Sequence, residues 1–256
     1  MTDLDMERTI QEKLDEIERV HNVKILLAVE SGSRAWGFAS PDSDYDVRFI
    51  YVRPKEGYLA LNEKKDVIEY ILDDTLDING WDINKTLKLL HASNPTLFEW
   101  MNSPIVYRRH PFMKKITDIS DGYFLEKHGL YHYLSMAEKN YREYLKGETV
   151  RQKKYFYVLR PLLCCRYVLQ NHVSPPMAFD QLLHTLMDKE LVGAVERLLE
   201  EKRQSPEKRE APRIPELNSF IEKNIDSLKK EIDALPAAKK QPWEHLNALF
   251  LMSLEI

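Results

Sequence analysis

The stretch ESGSRAWGFASPDSDYDVRFIYVRP, Glu30 to Pro54, joins a small-residue turn to two aspartates one residue apart, immediately ahead of an apolar run. Before it, Val23 to Val29 is short, apolar and punctuated by β-branched residues, the pattern of a buried strand. After the turn, Tyr45 to Val52 alternates and is closed by Pro54, which predicts a second strand. Side chains two apart on a strand share a face, so Asp44 and Asp46 at its opening are expected to project together from one rim of a sheet.

Two carboxylates held close resist simultaneous ionisation, and a bound divalent cation keeps both charged. Mg²⁺ (or Mn²⁺) suits oxygen ligands and shares its coordination sphere with substrate phosphates, so the spacing points to phosphoryl chemistry. A turn with a solvated acidic edge reads Ser43 to Asp46 equally simply. Gly32 and Ser33, directly after a buried strand, place backbone N–H groups and a hydroxyl where phosphate oxygens can be met, and Arg34 adds a charged donor. Strand, G-S, about ten residues, then D-x-D opening another strand is a more specific order than either pair alone.

Around this centre the first half of the chain alternates helix and strand. Ile10, Leu14, Ile17 and Val20 recur at helical spacing and predict an amphipathic helix over Glu7 to His21. Val67 to Leu72 and Thr75 to Ile78 read as short strands separated by a turn at Asp73 and Asp74. Asp82 is placed to cap a helix through Leu90, and Pro95 to open the next. After about Ser120 the strand signal ends. Helices are expected over Tyr131–Leu145, Val150–Gln170, Phe179–Met187, Leu191–Lys202, Leu217–Leu235 and Trp243–Leu254, with SPEKREAPRIPE at Ser205–Glu216 an exposed connector. The fold class is therefore α+β followed by an all-α part, divided into domains 1–118 and 119–256.

The composition bounds the function. The chain has 256 residues, 43% of them apolar, and a formal charge of −4, which argues against indiscriminate coating of nucleic acid. Cys164 and Cys165 are adjacent and offer neither a spaced metal motif nor a disulfide framework, which fits a reducing cytoplasm. The charged N-terminus has no apolar signal core, and no apolar run approaches the roughly 20 residues that span a bilayer. A cytoplasmic protein is expected.

The order G-S, D-x-D and a later strand carboxylate resembles the nucleotidyltransferases of the DNA polymerase β superfamily. GSRAWGFASPDSDYDVRFIYV, DINGWDINKTLKLLHASNPTLFEWMNSPIVY, KNYREYL and KKYFYVLRPLL resemble the nucleotidyltransferase family called RNA-ligase-associated, over most of residues 24–235. That resemblance implies a small mixed sheet flanked by helices, a helical C-terminal part, an active site between the two, and two-metal transfer of a nucleotide from a nucleoside triphosphate, with ATP the expected donor. The acceptor stays open, RNA included. A metal-dependent phosphodiesterase and a non-catalytic RNA-repair partner or antitoxin-like module are the competing readings.

For the third carboxylate, Asp77 inside the Thr75–Ile78 strand is chosen over Asp82, whose place before INKTLKLL makes it a natural N-cap. Asp44, Asp46 and Asp77 are thus the expected catalytic and metal-holding residues. Gly32, Ser33, Arg34, Ser43, Arg48, Lys154 and Arg160 are expected to bind the nucleotide. Arg48 reads equally as a phosphate contact or a carboxylate partner. Lys154 and Arg160 lie in KNYREYLKGETVRQKKYFYVLRPLLCCR, eight Lys/Arg against two Glu, where Lys153, Tyr157 and Arg160 share helical spacing. By spacing alone that stripe is a solvated basic face; similarity to the family's KKY and LRP segments assigns Lys154 and Arg160 to the nucleotide. Pro161 is expected to start or kink a helix.

Overall fold

In the computed structural model, which describes residues 3–62, 64–73, 75–204, 210–237 and 239–256, the chain gathers into two compact units, each discontinuous in sequence. One comprises Met1–Ala35, Asp44–Tyr123 and Lys240–Ile256; the other comprises Trp36–Ser43 and Phe124–Lys239.

The first unit carries α1 (Asp3–His21), β1 (Lys24–Glu30), α2 (Gly32–Ala35), β2 (Tyr45–Val52), α3 (Lys55–Leu59), β3 (Val67–Asp73), β4 (Leu76–Asp82), α4 (Ile83–His91), α5 (Pro95–Met101), β5 (Val106–Arg109) and α6 (Phe112–Ser120). Its strands form one mixed sheet in the order β3-β4-β2-β1-β5. β2 and β4 are parallel neighbours, and the other pairings are antiparallel. The helical spacing of Met6, Ile10, Leu14 and Ile17 buries one stripe of α1 against Val47, Phe49, Tyr51, Ile68 and Ile78. The period of two then turns Asp46, Arg48, Asp77, Asn79 and Trp81 to the opposite face.

Tyr45–Val52 forms the strand its alternation predicts. β4 runs four residues beyond the expected Ile78, because its pairing with both β2 and β3 continues to Asp82 and Trp81. The turn expected at Asp73 and Asp74 includes Asp74, which lies outside the described residues; Asp73 closes β3. Asp82 caps α4, accepting from the Asn84 amide at 2.8 Å, and Pro95 opens α5 behind the Asn94 cap.

The second unit holds α7 (Glu126–Tyr144), β6 (Thr149–Arg151), a 3₁₀ turn (Gln152–Tyr155), α8 (Phe156–Asn171), α9 (Phe179–Leu186), α10 (Lys189–Gln204), β7 (Glu210–Pro212) and α11 (Pro215–Ala234). α8 packs on α7, α9 and α11, burying Leu159, Leu162, Leu163, Cys164, Cys165 and Val168. The helix expected from Val150 begins only at Phe156. Residues 149–151 instead pair with 210–212 as a short ribbon, so the expected connector is partly strand, and its residues 205–209 lie outside the described ones. Pro161 sits inside α8 rather than at its start.

Two segments depart from the expected boundary at residue 118. Trp36–Ser43 belongs to the helical unit, because Phe38 stacks on Phe156 (centroids 5.3 Å) and meets Phe179 edge-on (5.7 Å). The last helix, α12 (Glu244–Ser253), belongs to the sheet unit, where it packs on α4 and α6 and Trp243 stacks on His91 at 3.6 Å. Neither attachment is visible in hydrophobic periodicity, which records that a face is apolar but not which core it enters.

Candidate active site

The site's frame is the parallel register of β2 and β4, which sets Asp46 opposite Asp77. Between them stands Arg48, whose Nη2 donates to Asp46 Oδ1 at 2.9 Å and to Asp77 Oδ2 at 2.8 Å. Its Nη1 donates to the carbonyls of Val47 and Asp77, both at 3.1 Å. Burial raises the Asp46 carboxyl above its ordinary range; Arg48 opposes that, while the like charges of Asp77 and Asp44 add to it. Burial is the main cost, the paired carboxylates add to it, and the guanidinium offsets part of it.

Asp44 directly precedes β2, and its carbonyl accepts from Arg34 Nε at 3.2 Å. The Arg34 guanidinium lies over the Tyr45 ring at 3.6 Å. Gly32 takes φ +60°, and a Cβ there would fall 2.2 Å from Asp46 Oδ2. The residue must therefore be glycine both for its left-handed backbone and for the room it leaves the carboxylate. Ser33 is buried beside it. Asp82, the rival third carboxylate, is occupied elsewhere: besides capping α4 it accepts from the Tyr58 hydroxyl at 3.1 Å and faces Arg53 Nε at 3.5 Å.

Glu30, at the end of β1, escaped sequence reasoning. It is fully buried, accepting from the Asp46 amide at 2.7 Å and from the Tyr107 hydroxyl at 2.5 Å. A single acid closing a strand carries no signal of this; the convergence arises only when β5 brings Tyr107 alongside. Burial pushes the Glu30 carboxyl up to about 7, against the pull of its two donors. A raised acid pKa means that the folded state holds the proton more tightly than the unfolded chain between about pH 4.5 and 7. The contribution to stability is therefore present below pH 4.5 and lost as pH rises through 7. In Glu30→Gln the carbonyl oxygen can still accept from the Asp46 amide, while the –NH₂ donates to the Tyr107 oxygen and no titrating proton remains. Its stability relative to wild type, from urea melts, is expected to improve by roughly 2–3 kcal/mol between pH 4.5 and 8. A difference that stays flat with pH would contradict this account of Glu30.

Ser43, Lys154 and Arg160 belong to the helical unit. The Ser43 hydroxyl closes a turn by accepting from the Ser40 amide at 2.8 Å. Lys154 is half-buried with its ammonium 4.7 Å from the ring centroids of both Tyr144 and Tyr157. Arg160 departs from the expected open stripe. It is 2% exposed, with its guanidinium 4.6 Å over the Trp36 ring and Nε donating to the Met177 carbonyl at 3.3 Å. The aromatic Trp36–Ser43 segment covers what the spacing of α8 alone presents as surface. Trp36 Nε1 is buried without a hydrogen-bond partner.

Among the described residues no three His, Cys, Asp or Glu side chains are gathered closely enough to hold a metal ion by themselves. Asp46 and Asp77 converge, however, and their donors are the hard oxygens that Mg²⁺ or Mn²⁺ takes, so the pair fits such an ion in its chemistry. Among the described residues no helix is long and apolar enough to cross a membrane.

The family described as RlaP, the RNA repair pathway DNA polymerase beta family, matches residues 6–252. The uncharacterized protein YcgL of Bacillus subtilis (strain 168) is 44% identical over 252 residues, covering 98% of this chain and 97% of its own. A crystal structure of a nucleotidyltransferase-like protein from Exiguobacterium sibiricum 255-15 aligns at 15% identity over 90% of this chain and 75% of that one, with a TM-score of 0.31.

Proposed function

This chain belongs to the RNA repair pathway DNA polymerase beta family, and on that premise we propose that it transfers a nucleoside monophosphate from a nucleoside triphosphate, ATP first, to a hydroxyl or phosphate acceptor. The observation that carries the reading is the opposition of Asp46 and Asp77 on parallel strands, with one cation drawn to both. RNA is the acceptor class that the family's description favours.

Asp44, Asp46 and Asp77 are the residues that would hold Mg²⁺ or Mn²⁺. When bound, the metal supplies Lewis-acid activation of the attacking oxygen and neutralises the charge of the leaving pyrophosphate. Asp77, the more exposed of the hydrogen-bonded pair, is assigned to help take the acceptor's proton. Gly32, Ser33 and Arg34 offer donors to phosphate oxygens from the turn beside Asp46. Ser43, Arg48 and Lys154 are assigned to the nucleotide as further donors; Arg160, packed inside the helical unit, is not.

The assignment of Lys154 is open to titration. Lys154→Ala is expected to weaken a non-hydrolysable ATP analogue about tenfold or more, because a hydrogen bond to a charged group contributes roughly 1.5–3 kcal/mol. Arg160→Ala should instead lower stability, since its stem and guanidinium are packed inside. Unchanged affinity in Lys154→Ala, by calorimetry, would contradict the assignment. A loss confined to RNA binding, with a shallower salt dependence, would move Lys154 to the nucleic-acid backbone.

The function itself is tested by incubating the protein with each α-labelled nucleoside triphosphate, Mg²⁺ or Mn²⁺, and a host lysate fractionated into RNA, protein and small molecules. Label is expected in one fraction, which identifies the acceptor. Hydrolysis of a diester without label transfer would favour a phosphodiesterase, and neither product a binding module.

A further inference from the structure

The guanidinium of Arg48 meets two carboxylates through the same nitrogen. Nη2 reaches Asp46 Oδ1 and Asp77 Oδ2, whereas a structural Arg–carboxylate pair gains its strength from two parallel bonds to one partner. A single nitrogen shared by two acids is the arrangement of a bridging cation. Nη1 is tied instead to main-chain carbonyls, those of Val47 and Asp77, which keep their positions whatever the carboxylates do. The arginine is thus anchored on one side by the sheet and engaged on the other by the acids.

Exposure runs the same way. The Arg48 side chain is 17% exposed, against 31% for Asp46 and 45% for Asp77, so the cation sits deeper than the acids it joins. These two bonds do not use Asp46 Oδ2 or Asp77 Oδ1, and Asp46 Oδ2 packs against Gly32, where a Cβ would fall 2.2 Å from it.

We infer that Arg48 is a placeholder cation. It holds Asp46 and Asp77 together before a divalent ion arrives, yields at least one carboxylate to that ion, and then turns its freed N–H groups to the triphosphate. The inference rests on the reading of these carboxylates as metal ligands. An ion that took the carboxylate oxygens now bound to Nη2 would displace that nitrogen. An arginine released there needs a new acceptor, since a part-buried guanidinium left without one is costly. Phosphate oxygens match its planar fork. Metal and triphosphate are therefore coupled through one side chain, and by linkage each tightens the other.

The test pairs two titrations on the full chain, Mn²⁺ alone and a non-hydrolysable ATP analogue at saturating Mn²⁺, for wild type, Arg48→Met and Arg48→Lys. Arg48→Met should bind Mn²⁺ more tightly, because its competitor is gone. It should bind the analogue about tenfold or more weakly, because the released donor is gone. Arg48→Lys keeps the charge but not the fork and should show the same two signs, reduced; it decides the matter if Arg48→Met does not fold. Opposite signs distinguish a placeholder from an ordinary ion pair, whose removal leaves the analogue's affinity untouched. Analogue affinity within twofold of wild type in the folded variants, or weaker Mn²⁺ binding, would overturn the inference. Absence of Mn²⁺ uptake by the wild type would remove the metal reading of the carboxylates itself, and the placeholder with it.

Discussion

Asp46→Asn and Asp77→Asn are each expected to reduce metal-dependent nucleotide transfer by about 10³-fold, on the scale of losing a charge aimed at the transition state, while the protein remains folded. Asparagine keeps the shape and one acceptor oxygen but not the charge that draws a divalent ion. The fold should tolerate the change well at position 46, where burial and neighbouring acids already raise the carboxyl's pKa. Arg48 keeps one of its two carboxylate partners in either variant. Asp44→Asn should behave alike, since Asp44 contributes like charge to the same cluster. Asp82→Asn is the control: asparagine caps helices about as well as aspartate, so transfer should persist. Label transfer and a thermal melt on each purified variant check the set. Full activity in Asp46→Asn would remove the assignment, and loss in Asp82→Asn with retention in Asp77→Asn would move the third carboxylate.

Gly32→Ala is expected to be nearly as damaging to transfer, by a different route. The residue's φ of +60° costs an alanine about 1–2 kcal/mol, and its Cβ would stand 2.2 Å from Asp46 Oδ2, so the carboxylate must move. A displacement near 1 Å at a reacting centre is worth about 10²-fold in rate. Gly37→Ala isolates the backbone term: φ there is +84°, but no atom lies within 4 Å of the added Cβ. It should lose stability without the same loss of transfer. Equal losses of transfer in the two variants would show that the Gly32 contact with Asp46 is unimportant.

Why some of this was legible in the sequence and some not follows from where each signal resides. Strand β2 could be read to the residue because its alternation and closing proline are local. The Asp82 cap was legible for the same reason, lying directly before its helix. That Asp77 faces Asp46 depends on the direct parallel pairing of β2 with β4, which β3 separates only in sequence, and spacing alone cannot supply the register. Its period of two from Asp46 puts Arg48 on the right face, but its double engagement needs both strands in place. Glu30 and Tyr107 stand 77 residues apart and meet through β5, a four-residue strand too short to announce itself. The burial of Arg160 came from aromatic residues of Trp36–Ser43, a segment that reads locally as a polar, small-residue turn.

The central claim is that Asp46 and Asp77 serve nucleotide transfer, and pyrophosphate release tests it most directly. Wild type and Asp46→Asn are incubated with ATP, Mg²⁺ and the acceptor fraction that takes up label, and pyrophosphate is measured against incorporated nucleotide. One pyrophosphate is expected for each nucleotide transferred by the wild type, with loss of both on chelation of the metal and neither product from Asp46→Asn. Pyrophosphate release by Asp46→Asn at the wild-type rate, or none from the wild type with any fraction, would contradict it.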